Sequence, residues 1–346
     1  MPRFKLCGGL FTYKAQKVLC SILGEEAYTR CMAEVTYSEE SILGLWRRNE
    51  LIARVVPMRK LVLIDRPKLD FFLVRHYQEM GGQLIDGDAL ESVDFGRRVA
   101  TLVSGLQIHY QHLVGADGTN SCVERLLAEY DPQFRRKGSK VVSLEINVDR
   151  EDLPVEGVNI YFDIVPRTYA WAFNKGDRTC LGISKLPDQK IDINDTFRQF
   201  LAMLNLRHPE RYPLRGAMIP FGIADAEYST AGVMFVGDAA GLVEPLTWEG
   251  IYFALRSGQL AGESIANGDS YAKKIKQMSR KIRHGFFYQR LFEHPAFLDQ
   301  FYRHGSKHTR FMAEYYSENI DDVPRQPLLR KVAVLFYKIL KHKLLR

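Results

Sequence analysis

The sequence contains no apolar run near the roughly 18 residues that a membrane-spanning helix requires, so no such span is read from it. Its opening, Met1-Pro-Arg-Phe-Lys-Leu-Cys7, lacks the apolar core of a secretory signal. Cysteine is scarce, with 5 in 346 residues. Cys7, Cys20, Cys31, Cys122 and Cys180 form no Cys-x-x-Cys and no metal-ligand spacing, which argues against a disulfide framework or a metal centre and fits a reducing cytoplasm. There is no internal repeat and no low-complexity tract. The absence of a zinc finger, an RNP motif or a basic-aromatic repeat argues against nucleic acid as a partner. Finally, no Gly-x-Gly-x-x-Gly occurs anywhere in the chain.

What is present is enough apolar residue, 46% of 346, for one large core or two coupled domains. The net charge of +7 is concentrated at one end: residues 271–346 hold 17 Lys/Arg against 6 Asp/Glu, which leaves 31 against 35 in the rest. A solvated helical face explains such a surplus, and so does attraction to an anionic membrane surface. The last helix, expected over 328–344, places Leu328, Val332, Leu335, Phe336 and Ile339 on one face, with Lys331, Lys338, Lys341 and Lys343 around the other.

Periodicity places a helix over 11–23, a short strand over 60–65, and an amphipathic helix over 66–80 with Leu69, Phe72, Leu73 and Tyr77 on one face, closed by Gly81-Gly82. Strands are expected over 102–110 and 112–115, and a helix over 120–129. From Lys140 to about Phe221 the pattern becomes alternating, as in Val141–Val148, Val158–Phe162 and Thr168–Phe173, which reads as an antiparallel sheet interrupted by one helix near 195–205.

The segment Val233-Met-Phe-Val-Gly237-Asp238-Ala239-Ala240-Gly241, followed by Pro245 and Trp248-Glu249-Gly250-Ile251, reads as a buried strand, a tight small-residue turn and a helix start. An acid at the end of the strand can accept hydrogen bonds from sugar hydroxyls, and free N–H groups near Gly250 and Ile251 can face an anionic oxygen. That geometry suits a polyhydroxylated, phosphate-bearing cofactor. Leu113-Val-Gly115-Ala-Asp117-Gly118 has the same strand-to-turn character, although Asp-Gly alone is a common turn. Arg66 at a helix start is disfavoured by the helix dipole and needs a partner, either a cofactor or Asp65 or Asp70. Tyr169, Trp171 and Phe173 share one face of a strand, which is either core or an aromatic wall toward a long apolar substrate.

The paired strand-turn segments resemble the internal signatures of flavoproteins with the para-hydroxybenzoate hydroxylase fold. Lys5-Leu-Cys7-Gly8-Gly9 and Tyr169-Ala-Trp171-Ala-Phe173 resemble segments of the geranylgeranyl reductases, and Cys-Gly-Gly-Leu with the basic tail is most similar to the bacterial CbrA proteins. The resemblance implies an FAD cofactor held by Arg66, Asp117, Gly118, Gly237, Asp238, Ala240, Gly241, Pro245, Gly250 and Ile251. It implies that Cys7 faces the flavin as the catalytic residue, although an inert buried thiol is the ordinary fate of a cysteine. Tyr169, Trp171 and Phe173 would line the substrate cavity. Flavoproteins of this fold open with a glycine-rich turn that holds the pyrophosphate. Its absence here leads us to expect a truncated or misplaced start and weak FAD retention.

The fold class expected is therefore α/β: an FAD-binding Rossmann-like layer, incomplete at the N-terminus, over residues 1–139 and 222–270, an antiparallel β substrate domain over 140–221, and a basic helical cap over 271–346. The expected activity is flavin-dependent reduction of prenyl-lipid double bonds, with NAD(P)H or ferredoxin as electron donor, at a cytoplasmic or peripheral membrane location. A flavin monooxygenase and a non-catalytic membrane-associated remnant are the alternatives.

Overall fold

The computed structural model describes residues 5–57, 59–134, 138–221, 229–230 and 232–303. Its largest element is a seven-stranded sheet in the order Arg215–Phe221, Ser139–Asp149, Arg178–Lys185, Ala170–Asn174, Val158–Phe162, Leu43–Arg47, Glu50–Val55. Every pairing is antiparallel except that of Val158–Phe162 with Leu43–Arg47. Alternation along the strands gives the sheet two different faces. Leu144, Ile146, Val148, Ala170, Ala172, Leu181 and Ile183 pack on one side against Phe197, Phe200 and Leu201 of the helix Ile193–Met203. On the other side Tyr169, Trp171, Phe173 and Cys180 join Phe292 and Phe301 from the helical segment that follows residue 271.

A second layer is built from smaller sheets. Leu61–Ile64 lies between Leu10–Phe11 and Thr36–Glu40, and Val233–Phe235 pairs in parallel with Leu113–Gly115. Their apolar faces form one core with the helices Tyr13–Leu23, Glu25–Val35, Arg66–Glu79, Cys122–Tyr130, Ile251–Asn267 and Tyr271–Glu293. Tyr271 fastens the last of these by donating to the Phe235 carbonyl at 2.7 Å.

Three expectations are corrected. Leu43–Val55 belongs to the large sheet rather than to the layer expected over 1–139, so the two layers share this part of the chain. Residues 102–110 form a hairpin rather than one strand. Gly105 adopts φ 87°, a left-handed turn between Val99–Leu102 and Gln107–His109. Tyr77 is exposed on its helix, whereas Leu69 and Phe72 are buried. The helices Tyr271–Glu293 and Pro295–Arg303 form the start of the expected cap, and the basic helix expected over 328–344 lies outside the described residues. No helix among the described residues is long and apolar enough to cross a membrane.

Candidate active site

The two parallel strands Leu113–Gly115 and Val233–Phe235 end side by side, joined past their ends by the Val236 N–H to the Gly115 carbonyl at 3.0 Å. Both turns singled out in the sequence therefore emerge at the carboxyl edge of one sheet, the usual place for a ligand in α/β folds. After Val236 the chain winds into a short 3-10 turn, Gly237–Ala240, and reaches Gly241 at φ 68°. Gly237 is required by contact: its N–H donates to Ser257 Oγ at 2.9 Å, and a Cβ there would lie 3.1 Å from that of Ala254. The long helix Ile251–Asn267 starts at Gly250, which has no side chain with which to cap it. The Asp238 carboxylate sits beside that start, 3.3 Å from where a Gly250 Cβ would be. A pole of positive helix potential, an acid and a glycine thus meet in one place.

The loop before this helix is held rigidly. The Glu244 carboxylate accepts from the N–H groups of Leu246 and Thr247 and from the Thr247 hydroxyl. Glu249 accepts from Thr12 Oγ1 and pairs with Lys14 at 2.5 Å. Burial alone would lower the Lys14 pKa, but Glu249 and Glu244 outweigh it and leave the ammonium above its ordinary value.

Lys5 links this turn to a cavity. Its ammonium lies 3.0 Å from the Asp238 carboxylate, and its side chain also lines a cavity of about 400 Å³ with Cys7, Arg66, Glu145, Asn147, Lys175, Arg178 and Tyr212. Cys7 precedes two glycines for steric reasons. A Cβ on Gly9, at φ 87°, would sit 2.6 Å from the Ile64 carbonyl, whose strand pairs with this segment through the Ile64 N–H and the Gly9 carbonyl at 2.9 Å. A Cβ on Gly8 would sit 2.9 Å from the Phe173 ring. Only glycine lets the backbone pass this close to both layers. The Gly9 N–H donates to Cys7 Sγ at 3.3 Å.

Arg66 stands over the same cavity. It opens the helix Arg66–Glu79, capped by Asp65 through the Lys68 N–H at 3.1 Å, and forks onto Asp70 at 2.9 Å. Burial works against its charge, but the Cys7 sulfur and Asp70 overcome this and hold the guanidinium above its ordinary pKa. Opposite lie two groups that the strand pattern disguises. Glu145 and Lys175 are 2% and 6% exposed. Desolvation raises the Glu145 pKa, with Lys175, Cys180 and Asn147 opposing. Lys175 is lowered by burial, but Cys180, Glu145 and Cys7 more than reverse this and keep it charged.

The aromatic strand lies behind the Cys-Gly-Gly segment. Trp171 is flanked by glycines: a Cβ on Gly8 would be 3.4 Å from its Nε1, and one on Gly182 would overlap its ring. The Tyr169 hydroxyl donates to the Thr247 carbonyl at 2.5 Å. All three rings face the core between the layers, at 6–8% exposure. They therefore form a packed wall that touches both the cysteine segment and the loop before Gly250.

The structure thus brings Cys7, Arg66, Asp238, Gly250 and Ile251 into one neighbourhood, with Tyr169, Trp171 and Phe173 behind it. It gives several others partners or places within the protein. The Asp117 carboxylate accepts from the N–H groups of Cys122 and Val123 at 2.7 and 3.1 Å and so serves the helix Cys122–Tyr130. Gly118, at φ 84°, shapes that turn. The N–H groups of Gly237, Ala240 and Gly241 all donate within the protein, so these residues form the turn without offering donors. Pro245 lines a separate, smaller cavity with Tyr169, Phe292 and Tyr302. Sequence reasoning missed Lys5, Lys14, Glu145 and Lys175. The available signal for two of them was a lone charge inside an apolar strand or at its end, as in Leu144-Glu145-Ile146 and Phe173-Asn174-Lys175.

No family model matches the chain. An uncharacterised protein of Methanosarcina barkeri is 28% identical over 268 residues, which are 77% of this chain and 66% of that protein. A geranylgeranyl diphosphate reductase of Rhodobacter capsulatus is 24% identical over 287 residues, 79% of this chain and 72% of the relative. A digeranylgeranylglycerophospholipid reductase of Methanocaldococcus jannaschii is 26% identical over 247 residues, 66% of this chain and 61% of the relative. The chain has geranylgeranyl reductases among its relatives. It spans 61 to 72% of the length of these three proteins. Among solved structures, a geranylgeranyl bacteriochlorophyll reductase-like protein of Thermoplasma acidophilum superposes with a TM-score of 0.70 at 17% identity, covering 97% of this chain and 88% of that one. A p-nitrophenol 4-monooxygenase of Pseudomonas putida gives 0.64 at 15% identity, covering 88% and 85%. The fold is that of the para-hydroxybenzoate hydroxylase-type FAD-binding oxidoreductases.

Proposed function

We propose that this chain is an FAD-dependent oxidoreductase that reduces double bonds of a prenyl-type lipid. The observation that carries the reading is the position of Cys7. Its segment lines the 400 Å³ cavity, reaches the Asp238 turn through Lys5 and lies against the Trp171–Phe173 wall. The residues fit part of the cofactor. Asp238 and the uncapped helix start at Gly250 and Ile251 suit the ribityl and ring-side portion of FAD, with Arg66 across the cavity. The sequence holds no glycine-rich turn for the pyrophosphate.

Reduced flavin would supply the hydride that one alkene carbon takes up. The residues of the chain do the rest. Arg66 and Lys175 hold fixed positive charge at the cavity wall, the aromatic strand excludes water, and the Cys7 Sγ–H delivers a proton to the second alkene carbon. Reducing equivalents would come from NAD(P)H or ferredoxin. The basic stretch 328–344 would meet an anionic membrane at the cytoplasmic face and bring the enzyme to its lipid. The test is a visible spectrum of the protein after incubation with FAD and desalting, followed by mass analysis of a geranylgeranyl lipid incubated with the flavin-loaded protein and a reductant. A product heavier by one or more pairs of hydrogens supports the reading, and an unchanged lipid overturns it.

One feature favours a second reading in the same fold. The cavity wall includes Arg178, Tyr212 and Arg215, a polar lining that suits a small aromatic acid and hence a monooxygenase. Oxygen uptake stoichiometric with such a substrate would decide for it.

A further inference from the structure

Cys7 is gripped through its own peptide groups by charges that come from the opposite layer. Lys175 Nζ donates to the Cys7 carbonyl at 3.1 Å, and the Glu145 carboxylate faces the Cys7 backbone N–H. Asn147 Nδ2 donates to the same carboxylate at 3.3 Å, and the Cys180 thiol, fully buried, lies against it. Lys175 follows directly on the strand Ala170–Asn174, and Glu145 lies on Ser139–Asp149; these strands flank Arg178–Lys185, which carries Cys180 between them. Burying two charged side chains in a sheet is costly, and a pair of apolar residues would serve packing as well or better. Their geometry gives them another use, because each ends on the residue that presents its sulfur to the cavity.

We propose that Glu145 and Lys175 are positioning residues for Cys7, fixing the place and electrostatic surroundings of its sulfur in the cavity. The proposal deepens the reductase reading, in which Cys7 is the proton donor, and rests on it for its purpose. The clamp itself is tested without flavin or substrate. Around the cavity the charged and titratable groups are Lys5 and Arg66 beside Cys7, Tyr37 and Asp65 from the small sheet and its helix, and Asp149, Arg178, Tyr212 and Arg215 along the mouth. None of these residues is itself altered by a substitution at 145 or 175 alone.

The experiment is alkylation of the intact chain by iodoacetamide across pH, with the rate at Cys7 resolved by peptide mass. Cys122, half-buried at the start of the helix Cys122–Tyr130, is the internal control in the same samples. Removing the cation in Lys175→Met should move the midpoint of the Cys7 profile up, and removing the anion in Glu145→Gln should move it down, each by about one pH unit, the effect of a unit charge a few ångströms away. Lys175→Arg should restore the wild-type midpoint. The Cys122 profile should stay fixed in every variant, which separates the clamp from general loosening of the fold. Two unchanged Cys7 midpoints, or two that move in the same direction, would overturn the proposal. If the midpoints move as stated and no prenyl lipid is reduced, the clamp stands and the reductase reading fails.

Discussion

The Lys5 ammonium lies 3.0 Å from the Asp238 carboxylate, across 233 positions of sequence. Asp238 lies in the turn Gly237–Ala240 of one layer, and Lys5 begins the segment that carries Cys7 into the cavity. Both are partly exposed, at 33% and 21% of their side chains, so water screens the pair and leaves the carboxylate accessible. In the function proposed above, the acid would exchange Lys5 for a sugar hydroxyl of the cofactor.

Replacing Asp238 by Ala should weaken FAD binding by roughly tenfold or more, the value of one charge-assisted hydrogen bond. Flavin fluorescence titration measures this. Equal affinity in the variant and the parent would remove Asp238 from the cofactor site.

Asp117→Ala should act on stability instead. Its carboxylate caps the helix Cys122–Tyr130, and loss of such a cap costs about 1 kcal/mol. A lower urea midpoint with FAD affinity held constant is the expected result. A large loss of affinity without loss of stability would return Asp117 to the cofactor.

Lys14 and Glu249 form a buried pair at 2.5 Å. Lys14→Met leaves Glu249 without its cation and should destabilise the fold by about 3–5 kcal/mol. The double variant with Glu249→Gln should recover part of that loss. If the double variant is the less stable by the sum of both single effects, the two residues do not act as a pair.

Glu145 makes a prediction in pH. Burial raises its folded pKa above the ordinary value of 4.5, so between the two values the folded chain holds more protons than the unfolded one. Its contribution to stability is then greatest below pH 4.5 and declines as pH rises from there through the folded pKa. Denaturant unfolding of the parent and of Glu145→Gln should show the variant gaining relative stability over that interval. A constant difference between them from pH 4 to 8 would contradict the burial effect.

Much of this architecture was legible because it is local. Gly237-Asp238 between a buried strand and a helix, and the shared face of Tyr169, Trp171 and Phe173, follow from spacing alone. The pairing of Leu43–Arg47 with Val158–Phe162 does not, because a parallel partner more than a hundred residues away leaves no trace in either segment. Glu145 and Lys175 were hidden for a different reason. The alternation Leu144-Glu145-Ile146-Asn147-Val148 is that of a strand with one wet face, yet here the polar face looks onto a second layer and a cavity. Asp117 reads two ways in the sequence because an acid after a strand serves a ligand and a helix N-terminus through the same acceptor chemistry; the structure adds its 2.7 Å bond from the Cys122 N–H.

Trp171 lies between two positions that have no side chain, Gly8 on one flank and Gly182 on the other. The indole is therefore a shim: its thickness sets the gap between the sheet and the strip of chain that bears the sulfur. Any residue larger than glycine at either flank widens that gap, and a smaller residue in place of the tryptophan lets it close. The spacing between the sheet and the Cys-Gly-Gly segment thus rests on a flat, uncharged ring that stands behind the cavity and is not part of its lining.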